Sequence, residues 1–297
     1  MRFDDRIVMN MKIGKNVRLR SLILDMLAFV AMFLLIQLAV SLIVINFDEG
    51  AFAANGKLTD FGFFVTYFSA MVPMIILATR YESFRYGCSM PIKSAWRGFD
   101  PTMALWGFVL LLSVTVAISP IVNMLPHAER SIPTGGWTLL TVCVIAPIFE
   151  EVIFRGRLYS LLNHSSSALI SAMLTAMLFG AVHGDLCVMI EGFFAGLIFS
   201  YVYIQKGSII APILLHIFNN AIAYALVVLS YQDKGVGEIL GEQLDMSIVY
   251  IVALVISVVG MIHVIRTIRR KGSVALHIAI EEPTEADKPA TEEKISE

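Results

Sequence analysis

The chain has 297 residues, 57% of them hydrophobic and 15% charged, with a formal net charge of -2. Soluble globular domains are about half apolar and about a quarter charged, so both figures shift toward a membrane protein. No basic stripe suggests nucleic acid as a partner, and Cys88, Cys143 and Cys187 form neither a CxxC pair nor an even-numbered disulfide framework.

Residues 1–20 form a basic segment with Arg2, Arg6, Lys12, Lys15, Arg18 and Arg20, expected on the cytoplasmic side as a topology-setting flank. Eight apolar runs follow, to be compared with the roughly 20 residues that span a bilayer. They are Ser21–Asn46, Phe61–Thr79, Thr102–Leu125, Trp137–Asn163, Ser166–His183, Cys187–Gln205, Ser208–Tyr231 and Ser247–Arg266. The first exceeds the apolar core of a signal peptide, about 7–15 residues, and so reads as a span although Ala51-Phe52-Ala53 follows it. The expected fold is all-α, a polytopic membrane bundle of about eight transmembrane helices over residues 21–270. Seventeen Lys and Arg residues then fall on one side, against Lys57, Arg130 and Lys234 on the other. By the positive-inside rule both termini of this integral, multi-pass cell-membrane protein are cytoplasmic. Residues 271–297 are rich in Glu and Asp with two prolines, too polar to order themselves. Membrane lipid is the first partner this composition implies.

An ionisable side chain at the bilayer centre costs about 2.5–3.5 kcal/mol on insertion scales, which makes each one a functional candidate. The fourth run holds Glu150 and Glu151, followed by Arg155 and Arg157. Glu151 and Arg155 are spaced i,i+4, the favourable order for a helical ion pair, while Glu150 points about 100° away without a local counter-charge. Neutralisation of both acids near the inner interface is the plain structural alternative. His183 lies at the end of the fifth run, four residues after Phe179; His216 and Asn220 sit one turn apart in the seventh. Pro147 and Pro212 precede Glu150 and His216 and imply kinks beside a hydrated cavity. Among the other intramembrane acids, Asp25 is expected to reach the inner interface and Glu191 to serve as a structural partner; Gly192 and Gly196 form a GxxxG pattern for close helix packing.

At about 1.5 Å per residue, Glu150 lies roughly 10 Å and His216 roughly 12 Å from the inner edge of the membrane core. His183 would stand roughly 26 Å up, a mismatch that shrinks if the fourth helix continues to Asn163 and projects about 9 Å into the cytoplasm.

Across residues 147–220 the pattern resembles the CAAX protease and bacteriocin-processing (CPBP, or Abi) intramembrane proteases, related to type II CAAX prenyl endopeptidases. Glu150-Glu151-Val152-Ile153-Phe154-Arg155-Gly156 matches EExxxR, Phe179 to His183 matches FxxxH, and His216 to Asn220 matches HxxxN after Lys206-Gly207-Ser208. No HExxH, GxGD or GxSG motif competes with these. The resemblance implies a hydrolase, an endopeptidase acting on a membrane-associated peptide or protein. Glu150 with His183 would activate a water, His216 and Asn220 would hydrogen-bond the oxyanion, and Glu151, Arg155 and Phe179 would support them. The customary label for the family is metalloprotease, and Glu150, His183 and His216 are the ligands a Zn²⁺ ion would take. Alternatives are a non-proteolytic membrane factor, such as a bacteriocin self-immunity or scaffold protein, and a transporter, for which no inverted repeat speaks.

Overall fold

The computed structural model describes residues 3–47, 49–53, 57–87, 89, 92, 100–126, 133–229 and 245–281. They form eight helices and no strand: α1 Phe3–Phe47, α2 Asp60–Tyr86, α3 Pro101–Val122, α4 Gly136–Asn163, α5 Ala168–Ala181, α6 Leu186–Lys206, α7 Ile210–Val228 and α8 Met246–Glu281. Seven are long and apolar enough to cross a membrane; α5, with 14 residues, is shorter. The expected helical membrane bundle is therefore observed, with two corrections. The last helix continues to Glu281, so the first part of the segment expected not to order itself is helical. The fifth run is not a full-length span but a helix of about 21 Å. Its limits are local. Ser167 caps its start by accepting from the Ile170 N–H at 3.3 Å. Beyond its end, Gly184 turns the chain with φ +72° and Asp185 caps α6 through the Cys187 and Val188 N–H groups.

That short helix also explains the depth mismatch. Helix α4 runs unbroken to Asn163, 28 residues or about 42 Å, longer than a bilayer core of about 30 Å. Counting upward from Asn163, Glu150 lies about 20 Å along α4; counting upward from Ala168, His183 lies about 22 Å in the direction of α5. The two reach the same level.

Burial separates the centre of the bundle from its edge. Half of the apolar window of α6 is buried and 44% of that of α4, against 17% for α1. These two helices are the most enclosed, and α1 presents most of its apolar surface outward. The core joins Phe29 of α1, Met74 of α2, Leu110 of α3, Phe154 and Leu158 of α4, and Ile198, Phe199 and Val202 of α6. Helices α5 and α6 approach closely because their contact is lined by small residues. A Cβ on Gly192 would sit 3.0 Å from the Cα of Gly180, and one on Gly196 would sit 3.0 Å from the Cα of Ala176, as the GxxxG spacing predicts.

Helix α2 is fastened to α4 at both ends. At one end the Asp60 carboxylate accepts from the Trp137 and Thr138 N–H groups at 3.0 and 2.5 Å. At the other, Glu82 accepts from the Ser160 hydroxyl at 2.6 Å and pairs with Arg157 at 3.5 Å and His164 at 3.3 Å. Beside this cluster Asp25 is fully buried, bonded by the Tyr81 hydroxyl at 2.9 Å and by that of Tyr86, with Arg85 at 3.4 Å. Its partners come from α2, which runs on to Tyr86 and brings its own donors to the carboxylate.

Overpacking the α5–α6 contact tests this arrangement. Gly196→Val should cost about 1–3 kcal/mol, read as a lower unfolding midpoint in detergent. Gly136→Ala, where an added Cβ meets nothing within 4 Å, should leave the midpoint unchanged.

Candidate active site

The backbone of α4 departs from regular α-helix on both sides of the paired acids. Thr141–Ile145 and Val152–Leu158 are π-helical turns, with α-helical Ala146–Glu151 between them. Pro147 explains the first. In this register the Ala146 N–H bonds to the Thr141 carbonyl, and Pro147, the next residue, has no N–H to give. The Val142 carbonyl is thus released from the helix and accepts a hydrogen bond from the Asn220 side-chain amide of α7 at 3.0 Å. The carbonyl freed by proline is satisfied by protein. Pro212 needs no such compensation, because it lies in the first turn of α7 where an N–H would be unpaired anyway. Neither proline requires the hydrated cavity that kinks would imply.

Glu151 and Arg155 form a buried ion pair at 2.9 Å, each with no exposed side-chain surface. The second guanidinium nitrogen donates to the Gly196 carbonyl of α6 at 2.9 Å. The guanidinium lies over the rings of Phe179 and Phe199, 4.6 and 5.2 Å from their centroids, the geometry of a cation–π contact. Arg155 therefore ties α4 to α5 and α6. Of the two arginines that follow the acids, Arg155 is thus paired with Glu151 in the protein core, whereas Arg157 pairs with Glu82.

His216, 3% exposed, meets both glutamates. Its Nδ1 lies 3.0 Å from Oε1 of Glu151 and its Nε2 lies 3.7 Å from Oε2 of Glu150. Its ring stacks on Phe199, with centroids 4.8 Å apart and planes 27° apart. Because the Glu151 carboxylate paired with Arg155 is an acceptor, Nδ1 carries a hydrogen, and Nε2 faces Glu150. Glu150 is not without a partner, as its isolation on α4 suggests: the Tyr67 hydroxyl of α2 donates to its Oε1 at 2.8 Å.

His183 is placed differently. It follows the end of α5 and is exposed; its Nδ1 donates to the Phe179 carbonyl at 2.8 Å, so in the neutral ring Nε2 is the free base. Both imidazoles pack edge-on against Phe179, with centroids 5.2 Å away for His183 and 5.6 Å for His216. Glu150, Glu151, Arg155, Phe179 and His216 thus form one network, His183 joins it across the Phe179 ring, and Asn220 is tied to α4 separately, through the Val142 carbonyl. The trio Glu150, His183 and His216 does not fit a Zn²⁺ ligand set: among the described residues no three His, Cys, Asp or Glu side chains are grouped closely enough to hold an ion. Tyr67 and Phe199 carried no distinguishing signal. Both are aromatic residues inside apolar runs.

Residues 132–222 match the family described as Type II CAAX prenyl endopeptidase Rce1-like, which bears out the resemblance drawn from the three motifs. The chain is 33% identical over 114 residues to an uncharacterized 24.3 kDa protein of Escherichia coli, covering 37% of this chain and 52% of that one. It is 27% identical over 82 residues to the putative membrane peptidase YdiL of Bacillus subtilis, 28% and 34% of the two chains. Against the membrane-embedded CAAX protease MroQ of Staphylococcus aureus it is 26% identical over 136 residues, 39% and 54%. The matches thus span about half or less of these relatives' length. No solved structure matches.

Removing one member of a buried ion pair leaves the other uncompensated, at a cost of about 3–5 kcal/mol. Arg155→Leu should therefore lower the unfolding midpoint of the detergent-solubilised protein sharply, whereas Arg157→Leu, at the edge of the Glu82 cluster, should lower it less.

Proposed function

We propose that this chain is an intramembrane endopeptidase that hydrolyses a peptide bond of a membrane-associated peptide or protein. The observation that carries this reading is His216 set between two carboxylates of unequal exposure. Glu151 is fully buried and paired with Arg155, while the Glu150 side chain keeps 14% of its surface open. One acid orients the imidazole and the other can meet a reactant.

In the proposed reaction Glu150 removes a proton from a water whose oxygen attacks the peptide carbonyl carbon. The carbonyl π pair becomes an oxyanion, met from one face of α7 by Asn220 and by His216 in its imidazolium form, which carries a hydrogen on Nε2 as well as on Nδ1. An Asn amide has two N–H donors; one of those of Asn220 is used on Val142, which fixes the direction of the other. The C–N bond then breaks, and the proton held by Glu150 passes to the departing nitrogen. His183, with Nδ1 engaged on Phe179, offers Nε2 as a second base for the water. The match to the Rce1-like family and the names of the putative membrane peptidase and the CAAX protease favour peptidase over transporter or scaffold chemistry. Prenylated and unmodified membrane-anchored peptides are both candidate substrates.

The test uses full-length protein in liposomes with a library of quenched fluorogenic peptides, half of them prenylated. Wild type should cleave at least one class; Glu150→Ala and His216→Ala should lose about 100-fold or more in kcat/KM, in the range of general acid–base contributions. Equal turnover by all three proteins would remove the assignment. Because the residues present do not form a three-ligand set, dialysis against a chelator should leave the rate unchanged.

A further inference from the structure

We propose that Tyr67 is a positioning residue for this reaction: its hydroxyl holds Oε1 of Glu150 and so makes Oε2 the oxygen that takes and returns the proton. The inference rests on the peptidase reading and assigns a role to a residue outside the three motifs.

A carboxylate has two equivalent oxygens, and the terminal torsion of Glu is broad and roughly two-fold, so without a partner neither oxygen is selected. Here the two are distinguished. Oε1 accepts from the Tyr67 hydroxyl at 2.8 Å. Oε2 is buried without a hydrogen-bond partner among the described residues and lies 3.7 Å from Nε2 of His216. The donor itself is held in place. Asp60 fastens α2 to the first turn of α4, and Glu82 fastens it to Ser160 and Arg157 near the other end. Tyr67 lies between these anchors, with its ring 6.4 Å from that of Phe63. The distance from Tyr67 to Glu150 is therefore set by two helices clamped together, not by a mobile side chain on a loop. A phenolic hydroxyl facing an ionised carboxylate can only donate. The bond thus fixes the carboxylate plane before substrate arrives, the preorganisation that a general base needs for an in-reach attack.

Tyr67→Phe removes the donor and keeps the ring, and two measurements decide the matter. In the liposome assay, loss of a hydrogen bond to a charged group should reduce kcat about 10- to 100-fold while KM moves less than about twofold, with an unchanged unfolding midpoint. In infrared difference spectra, the carboxylate band assigned to Glu150 by comparison with Glu150→Gln should shift in Tyr67→Phe. Wild-type kcat, a midpoint that falls in step with kcat, or an unshifted band would each overturn the proposal. The infrared measurement does not depend on turnover: if wild type and Glu150→Ala cleave alike, the peptidase reading fails while the band still reports whether Tyr67 holds Glu150.

Discussion

A guanidinium with no exposed surface can persist in a membrane-embedded bundle only if its charge and its donors are both answered. Arg155 meets this constraint with one carboxylate, one backbone carbonyl and two aromatic faces. Each partner comes from a defined place. Glu151 is one turn away on the same helix, Gly196 exposes its carbonyl where α6 has no side chain, and Phe179 and Phe199 close the guanidinium faces. Satisfying this one cation therefore sets the mutual position of α4, α5 and α6. Position 196 illustrates how tightly. A Cβ there would lie 3.2 Å from the Phe179 ring and 3.0 Å from Ala176, so the glycine serves helix approach and ion-pair solvation together.

The geometry of α4 follows from the same demand at the level of the backbone. A regular α-helix containing Pro147 would leave a carbonyl unpaired in the interior, at a cost that apolar surroundings do not relieve. The π-helical turn moves the released acceptor to Val142, and Asn220 takes it. The helix that presents the acids and the helix that presents His216 are thereby joined at a second point, one turn from the His216–Glu151 contact. Such π turns recur at functional sites because they redirect side chains within an otherwise rigid rod. Here they flank the two adjacent acids on both sides.

Much of this was legible in the residues. The apolar runs placed seven long helices, and the i,i+4 spacing of Glu151 and Arg155, like that of His216 and Asn220, announced shared faces. What escaped reading depended on contacts between distant segments. Tyr67 stands 83 residues from Glu150, inside an apolar run where an aromatic residue gives no sign of its partner. Asp25 shows no partner in the residues alone because its donors, Tyr81 and Tyr86, lie beyond the apparent end of the second run. The fifth run looked as long as a span because its apolar composition continues through the turn at His183 and Gly184; only backbone conformation marks the boundary. The two prolines are a related case. Helix register decides whether a missing N–H matters, and composition does not report register.

Two neighbouring glutamates in one helix therefore come to differ through environment alone. Glu151 is enclosed, spends its charge on Arg155 and fixes the tautomer of His216 through Nδ1. Glu150, rotated about 100° around the helix, meets a neutral hydroxyl and the opposite imidazole nitrogen, and retains some open surface. An acid locked in a buried ion pair is a poor proton carrier, since protonating it would strand the cation. The division between an enclosed and a partly open carboxylate thus needs no difference in residue type, only one step of helical rotation beside a cation that one of them must satisfy.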